Sequence, residues 1–197
     1  MCYSLKSILN QGGYKTNLYT SPHLLSYTER YVFEDKEINE EDLIELLTDV
    51  EKTLGDDNAT LFEILTCAFL KYAENFKDNI NIIEAGLFHQ FDSTNVFKGN
   101  LMTLIGVIHN DHFQWLENKS IEGVIYEKTA KLLNSNIFIN KQVNNEIRDK
   151  IEISLEKNTS NKYFFGKDFN IAKSENGFIQ YEDGLGELVL PEPSILG

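Results

Sequence analysis

Apolar residues recur every three to four positions from Asn39 to Leu54, where Leu43, Leu46, Leu47, Val50 and Leu54 fall on one stripe. That period marks an amphipathic helix. Asn39 stands where a capping side chain is wanted, and Glu40 and Glu41 occupy the first turn, beside the positive end of the helix dipole. A second helix is predicted from Thr60 to Asn75, with Leu61, Ile64, Leu65, Ala68 and Phe69 facing inward. Further helices are predicted from Cys2 to Leu9, stopped by Gly12-Gly13, from about Ser120 to Leu133, and from Asn145 to Glu156. Between them lie short runs that do not extend to helices: Lys15 to Tyr19, Ile80 to Ala85, Leu101 to Ile108 and Asn136 to Ile139. These predict buried strands. Strands alternating with helices predict an α/β fold, a mostly parallel sheet flanked by helices. After Tyr163 the pattern changes to short alternating segments with turns at Gly177, Gly184 and Gly186, which predict a short antiparallel C-terminal meander.

A chain of 197 residues suffices for one α/β domain, which would bury roughly 70% of its unfolded surface. No apolar run approaches the roughly 20 residues that span a bilayer, and the N-terminus lacks the apolar core of a signal peptide. The net charge of −13 argues against a nucleic-acid partner, because such binding rests largely on phosphate neutralisation. Cys2 and Cys67 both fall in predicted helices, so a disulfide is not expected and a reducing cytoplasm is.

Chemistry gathers just beyond three predicted strands. Thr20-Ser21-Pro22-His23-Leu24 follows the first, Glu84-Ala85-Gly86-Leu87 and Asp92-Ser93-Thr94-Asn95 the second, and Asp111-His112 the third. In open α/β sheets the carboxyl edge is where ligands bind. Parallel strands place their carboxyl ends on one edge, so Ser21, Glu84 and His112 are expected to converge. Each residue also has a plainer reading. Ser21 before Pro22 can initiate a turn, His112 can be a surface-loop histidine, and Asp92 and Asn95 suit a turn and a helix cap. Glu84 is harder to dismiss, since a carboxylate ending an apolar strand costs free energy unless paired. The acidic run from Glu34 to Asp42 reads as a solvated face.

The ordered motifs resemble the Mur ligase superfamily and, within it, the folylpolyglutamate synthase/dihydrofolate synthase family. They are Thr20 to Leu24, Glu29-Arg30, Phe62-Glu63, Glu84 to Leu87, Asp92 to Asn95, Asp111 to Leu116, Glu127-Lys128 and Gly166-Lys167-Asp168-Phe169. Their order and spacing run through nearly the whole chain. The resemblance departs at Phe88-His89-Gln90, where the family has Gly-Gly-Arg. It also implies a central ATP-binding domain over residues 1–197, cut at both ends, without the P-loop and the C-terminal ligase domain. Such a chain is expected to be inactive alone and to expose an apolar sheet edge.

The resemblance implies an ATP-dependent ligase that joins L-glutamate to folate or dihydropteroate through an acyl phosphate, with magnesium as cofactor. Ser21, Glu84 and His112 would hold one magnesium, and Lys128, in carbamylated form, a second. His112 and Lys128 would be catalytic, and Asp92 and Asn95 would support the nucleotide. A solvated Glu127-Lys128 pair is the competing reading of Lys128. His109 and His89 are rival histidines: the gapless spacing and the Asp-x-x-x-Trp-Leu context favour His112 over His109, and His89 occupies a family glycine position, which reads as a local replacement. The implied enzyme is cytoplasmic and monomeric, without nucleic acid or membrane. The alternatives are a non-catalytic homologue that binds folate or a protein partner, and a Mur-type ligase acting on a cell-wall precursor.

Overall fold

Asn39 caps the helix that the pattern predicts, its side chain accepting from the Asp42 amide at 2.8 Å. Helix α2 then runs over Glu40–Leu54 and buries Leu43, Leu46 and Val50. The computed structural model describes residues 1–132, 135–173 and 177–191. They fall into two units, Met1–Val96 and Phe97–Gly197.

The first unit also holds α1 (Cys2–Gln11), β1 (Thr16–Tyr19), β2 (Tyr31–Phe33), β3 (Lys36–Glu37), α3 (Leu61–Ala73) and β4 (Ile80–Ile83). Its sheet has the order β3-β2-β1-β4. Strands β1 and β4 are parallel, and β1 with β2 and β2 with β3 are antiparallel. Every residue of β1 is buried, which places it at the centre of the unit. Its Leu18 joins Val32 and Ile82 against Cys2, Leu5 and Leu9 of α1. Its Tyr19, on the other face, joins Tyr31, Phe33 and Phe69 in the core formed with α2 and α3. Burying a large apolar side chain is worth about 1.5–3 kcal/mol, so this aromatic cluster is the unit's principal anchor.

Two details depart from the pattern. Strands β2 and β3 were not expected, because two or three residues are too few to show a period of two. Leu61 is exposed rather than inward. It opens α3 directly after its cap, Thr60, whose side chain and that of Glu63 form a reciprocal capping box. The inward residues of the first turns are Phe62, Ile64, Leu65 and Thr66.

The second unit contains β5 (Met102–Ile105), α4 (Ile121–Thr129), β6 (Asn136–Ile139), α5 (Asn145–Ser154) and β7 (Asn161–Phe164). The three strands are parallel in the order β5-β6-β7. Ile105, Ile137, Ile139 and Phe164 are buried, as are Val124 and Ile125 of α4 and Ile151 and Leu155 around α5. Strand β5 stops at Ile105, short of Ile108, because Gln142 replaces a strand partner there. The Gln142 side chain accepts from the Ile108 amide at 2.9 Å and donates to the Gly106 and Asn140 carbonyls. Helix α4 ends at Thr129, with Ala130 already extended, and Leu133 lies outside the described residues.

The meander is β8 (Phe169–Lys173), β9 (Phe178–Asp183) and β10 (Gly186–Pro191), antiparallel in the order β10-β9-β8. The α/β class, the parallel strands flanked by helices and the antiparallel C-terminal sheet are all as the sequence predicts. Among the described residues, no helix is long and apolar enough to cross a membrane.

Candidate active site

Strands β1 and β4 run side by side with Tyr19 opposite Ile83, so the residues that follow them emerge together. The Glu84 amide donates to the Tyr19 carbonyl at 2.9 Å, carrying the ladder one residue further. The chain after β1 then turns through Ser21, whose peptide to Pro22 is cis. The Ser21 amide donates to Oε2 of Glu84 at 2.9 Å. Both residues are half-buried. The sequence places these two groups on one sheet edge, and the structure brings them into contact.

Glu84 makes no ion pair among the described residues. Its charge reaches Cys2, whose thiol is pushed up by burial first and by the Glu84 carboxylate second. A half-buried carboxylate with one oxygen on the amide of a serine suits a hard divalent cation that keeps several waters. The donor set at this edge therefore fits magnesium.

The two loops leaving this edge are both internally tied. In the first, the Glu29 carboxylate accepts from the Leu24, Leu25 and Ser26 amides at 2.7–2.8 Å. These backbone donors hold its carboxyl below the usual carboxylate range. Arg30 Nε donates to His23 Nδ1 at 2.9 Å, which makes that nitrogen an acceptor. In the second loop, Asp92 Oδ2 accepts from the Leu87 amide, and Oδ1 accepts from the Thr94 amide and hydroxyl. Both oxygens of Asp92 thus close the loop, in agreement with its plainer reading as a turn residue. The Asn95 amide donates to the Asp92 carbonyl. Gly86 lies where a Cβ would come 2.6 Å from the Phe62 ring and 2.8 Å from Asp92 Oδ2. Phe62 of the Phe-Glu pair is therefore the wedge behind the loop, while Glu63 caps α3.

His112 and Lys128 belong to the second unit. His112 sits in the left-handed region (φ 58°) at the start of a 3-10 turn, Phe113–Trp115. Its Nε2 lies 3.1 Å from Oδ2 of Asp111, the type of contact that orients a ligating histidine. Lys128 is half-buried in the last turn of α4. In the late motif, Asp168 Oδ2 accepts from the Phe164 amide at 2.7 Å and Gly166 adopts φ 81°. That motif is a closed turn. Among the described residues, no three His, Cys, Asp or Glu side chains group as a metal site, and the expected set contains only two of these types. Thr66 was not singled out in the sequence, because a threonine inside a helix gives no sign of the partners it meets.

A glutamate and a serine follow adjacent parallel strands of an α/β protein, at the edge where open α/β sheets bind ligands. The particular resemblance is to dihydrofolate synthase/folylpolyglutamate synthases. The Escherichia coli enzyme of that name is 34% identical over 115 residues, 58% of this chain and 27% of the relative. E. coli FolC, solved with DHPP and ADP, aligns at TM-score 0.88 and 26% identity, covering 99% of this chain and 46% of that one. The Yersinia pestis bifunctional folylpolyglutamate synthase/dihydrofolate synthase, complexed with AMPPNP and Mn ion, aligns at 0.83 and 26%, covering 95% and 44%. This chain thus spans about half the length of these solved relatives. No family model matches it.

Proposed function

We propose that this chain is the central ATP-binding region of an ATP-dependent carboxylate–amine ligase that joins L-glutamate to folate or dihydropteroate. The observation that carries the reading is the Ser21–Glu84 contact at the carboxyl ends of β1 and β4, found in a chain similar to folate synthases. In that chemistry ATP converts a carboxylate to an acyl phosphate, which the amine of glutamate attacks. Magnesium would neutralise the charge that gathers on the phosphoryl oxygens. Glu84 supplies the negative charge of the metal set and Ser21 a neutral oxygen. On the strength of the resemblance His112 completes this set, and Lys128, as a carbamate, would serve a second magnesium. Asp92 holds the shape of the loop beside Glu84, and Asn95 is the member available to the nucleotide. The enzyme is read as cytoplasmic and monomeric.

One observation favours the second reading, a homologue that binds without turnover. Phe88-His89-Gln90 replaces two glycines and an arginine, and Gln90 Oε1 is buried with no hydrogen-bond partner among the described residues. A chimera decides between them. The matched segment of this chain replaces its counterpart in the E. coli enzyme, and ATP-dependent transfer of labelled glutamate to dihydropteroate or folate is assayed. The ligase reading expects turnover that Glu84→Gln abolishes. A folded chimera without turnover favours the non-catalytic reading.

A further inference from the structure

We infer that the Thr66 hydroxyl on α3 is a positioning group that ties together the two loops bearing Ser21 and Glu84. The inference rests on reading Glu84 as a cation ligand. Three contacts meet at this one oxygen. Thr66 Oγ1 lies 2.8 Å from the Phe62 carbonyl, 3.2 Å from the Tyr19 hydroxyl and 2.9 Å from the Ser93 hydroxyl. A hydroxyl has one proton and two lone pairs. The carbonyl can only accept, so the Thr66 proton goes to Phe62. Tyr19 and Ser93 must then both donate to Thr66, and the oxygen is saturated.

The direction of these bonds carries consequences. Tyr19 is the last residue of β1, and with its proton committed its oxygen can accept from the first loop. Arg30 belongs to that loop, and its charge, with the bond to Thr66, partly opposes the burial that raises the tyrosine. Arg30 is also joined to His23 in the Ser21 loop. On the other side Ser93 follows Asp92, whose carboxylate holds the Leu87 and Thr94 amides. Leu87 is three residues beyond Glu84. The same helix presses Phe62 against Gly86. Removing the Thr66 oxygen would strand two donors at a buried position, while leaving the helix and its apolar contacts in place. The contacts of the Thr66 hydroxyl are with Phe62, Tyr19 and Ser93, so its effect passes through the loops.

The test uses the 197-residue chain with Mn2+ as the probe. Thr66→Val is the isostere without the hydroxyl, and Thr66→Ser restores it. Mn2+ affinity is read by electron paramagnetic resonance, and amide hydrogen exchange is read at Leu87 and Thr94, with Leu18 as the internal control. Groups that orient metal ligands typically contribute about 10–100-fold in affinity. We expect a loss of that size in Thr66→Val, recovery in Thr66→Ser, and faster exchange at Leu87 and Thr94 with Leu18 unchanged. Wild-type Mn2+ affinity and wild-type exchange in Thr66→Val would overturn the inference. If Glu84→Gln binds Mn2+ as the wild type does, or the wild type binds none, the metal reading fails. The positioning role then stands or falls on the exchange rates: faster and rescued by serine supports it, unchanged refutes it.

Discussion

The backbone amide of Ser21 donates to the Glu84 carboxylate at 2.9 Å, joining residues 63 apart in sequence. The contact follows from the parallel pairing of β1 and β4, which sets Tyr19 opposite Ile83 and brings both chains out at one edge. It is a side-chain bond to backbone, so its loss can be read as stability. Replacing Glu84 with alanine removes the acceptor, and a net hydrogen bond to a charged group contributes about 1.5–3 kcal/mol. Glu84→Gln keeps a carbonyl oxygen that can accept from Ser21 and should lose less. Urea denaturation of the two variants checks the order: alanine below glutamine, glutamine near wild type.

Gly86 should be intolerant of any side chain. A Cβ would stand 2.6 Å from the Phe62 ring and 2.8 Å from Asp92 Oδ2. Overpacking of this kind typically costs about 1–3 kcal/mol. Gly86→Ala should therefore destabilise the chain by that amount, and the penalty should shrink in a Phe62→Leu background. A double-mutant cycle measures the difference. Additive losses would mean that Phe62 is not what excludes the side chain.

Lys150 lies between Glu122 of α4 and Glu146 of its own helix, at 2.7 and 2.6 Å. The hydrogen bond from Lys150 pulls the Glu122 carboxyl down from 4.5 to about 2. A carboxyl whose folded value is depressed stabilises the fold above its unfolded value and loses that contribution as pH falls through the folded value. The brace between α4 and α5 should therefore hold at pH 5 and weaken between about 4.5 and about 2. Carbon-13 titration of Glu122 should show the low value, and Lys150→Met should return it toward 4.5. An unchanged titration in that variant would remove Lys150 as the cause.

Gln142 should matter more than a loop glutamine normally does. It is buried and satisfies the Ile108 amide and the Gly106 and Asn140 carbonyls. Gln142→Ala strands the buried Ile108 amide, and a buried unsatisfied group costs about 1–3 kcal/mol. The expected result is a lower thermal midpoint, with the fastest new hydrogen exchange at Ile108. Protection at Ile108 equal to wild type would show that another group holds the segment.

The helices were legible because their periods extend over several turns, as α2 shows from Asn39 to Leu54. Strand β7, like β2 and β3, was not, since four residues following the polar Asn158 to Ser160 carry little pattern. Ser21 and Glu84 could be read as neighbours because each follows a short run that reads as a buried strand, and those strands are partners. The strand before His112 pairs within the second unit, with β6, so strand order alone did not settle its place. The support of the site was least visible. Gly86 and Phe62 appeared only as members of motifs, and Thr66 appeared as nothing, because a hydroxyl's partners depend on how a helix faces a loop.

The most direct test of the central claim is a Mn2+ titration of the 197-residue chain, followed by electron paramagnetic resonance, in the wild type and in Ser21→Ala, Glu84→Gln, His112→Ala and Lys128→Met. Manganese replaces magnesium at oxygen-rich sites and reports its own coordination. If Glu84 anchors a cation at the β1–β4 edge, Glu84→Gln should lose binding almost entirely, and the other three should each weaken it while circular dichroism stays unchanged. Wild-type Mn2+ affinity in folded Glu84→Gln would contradict the account.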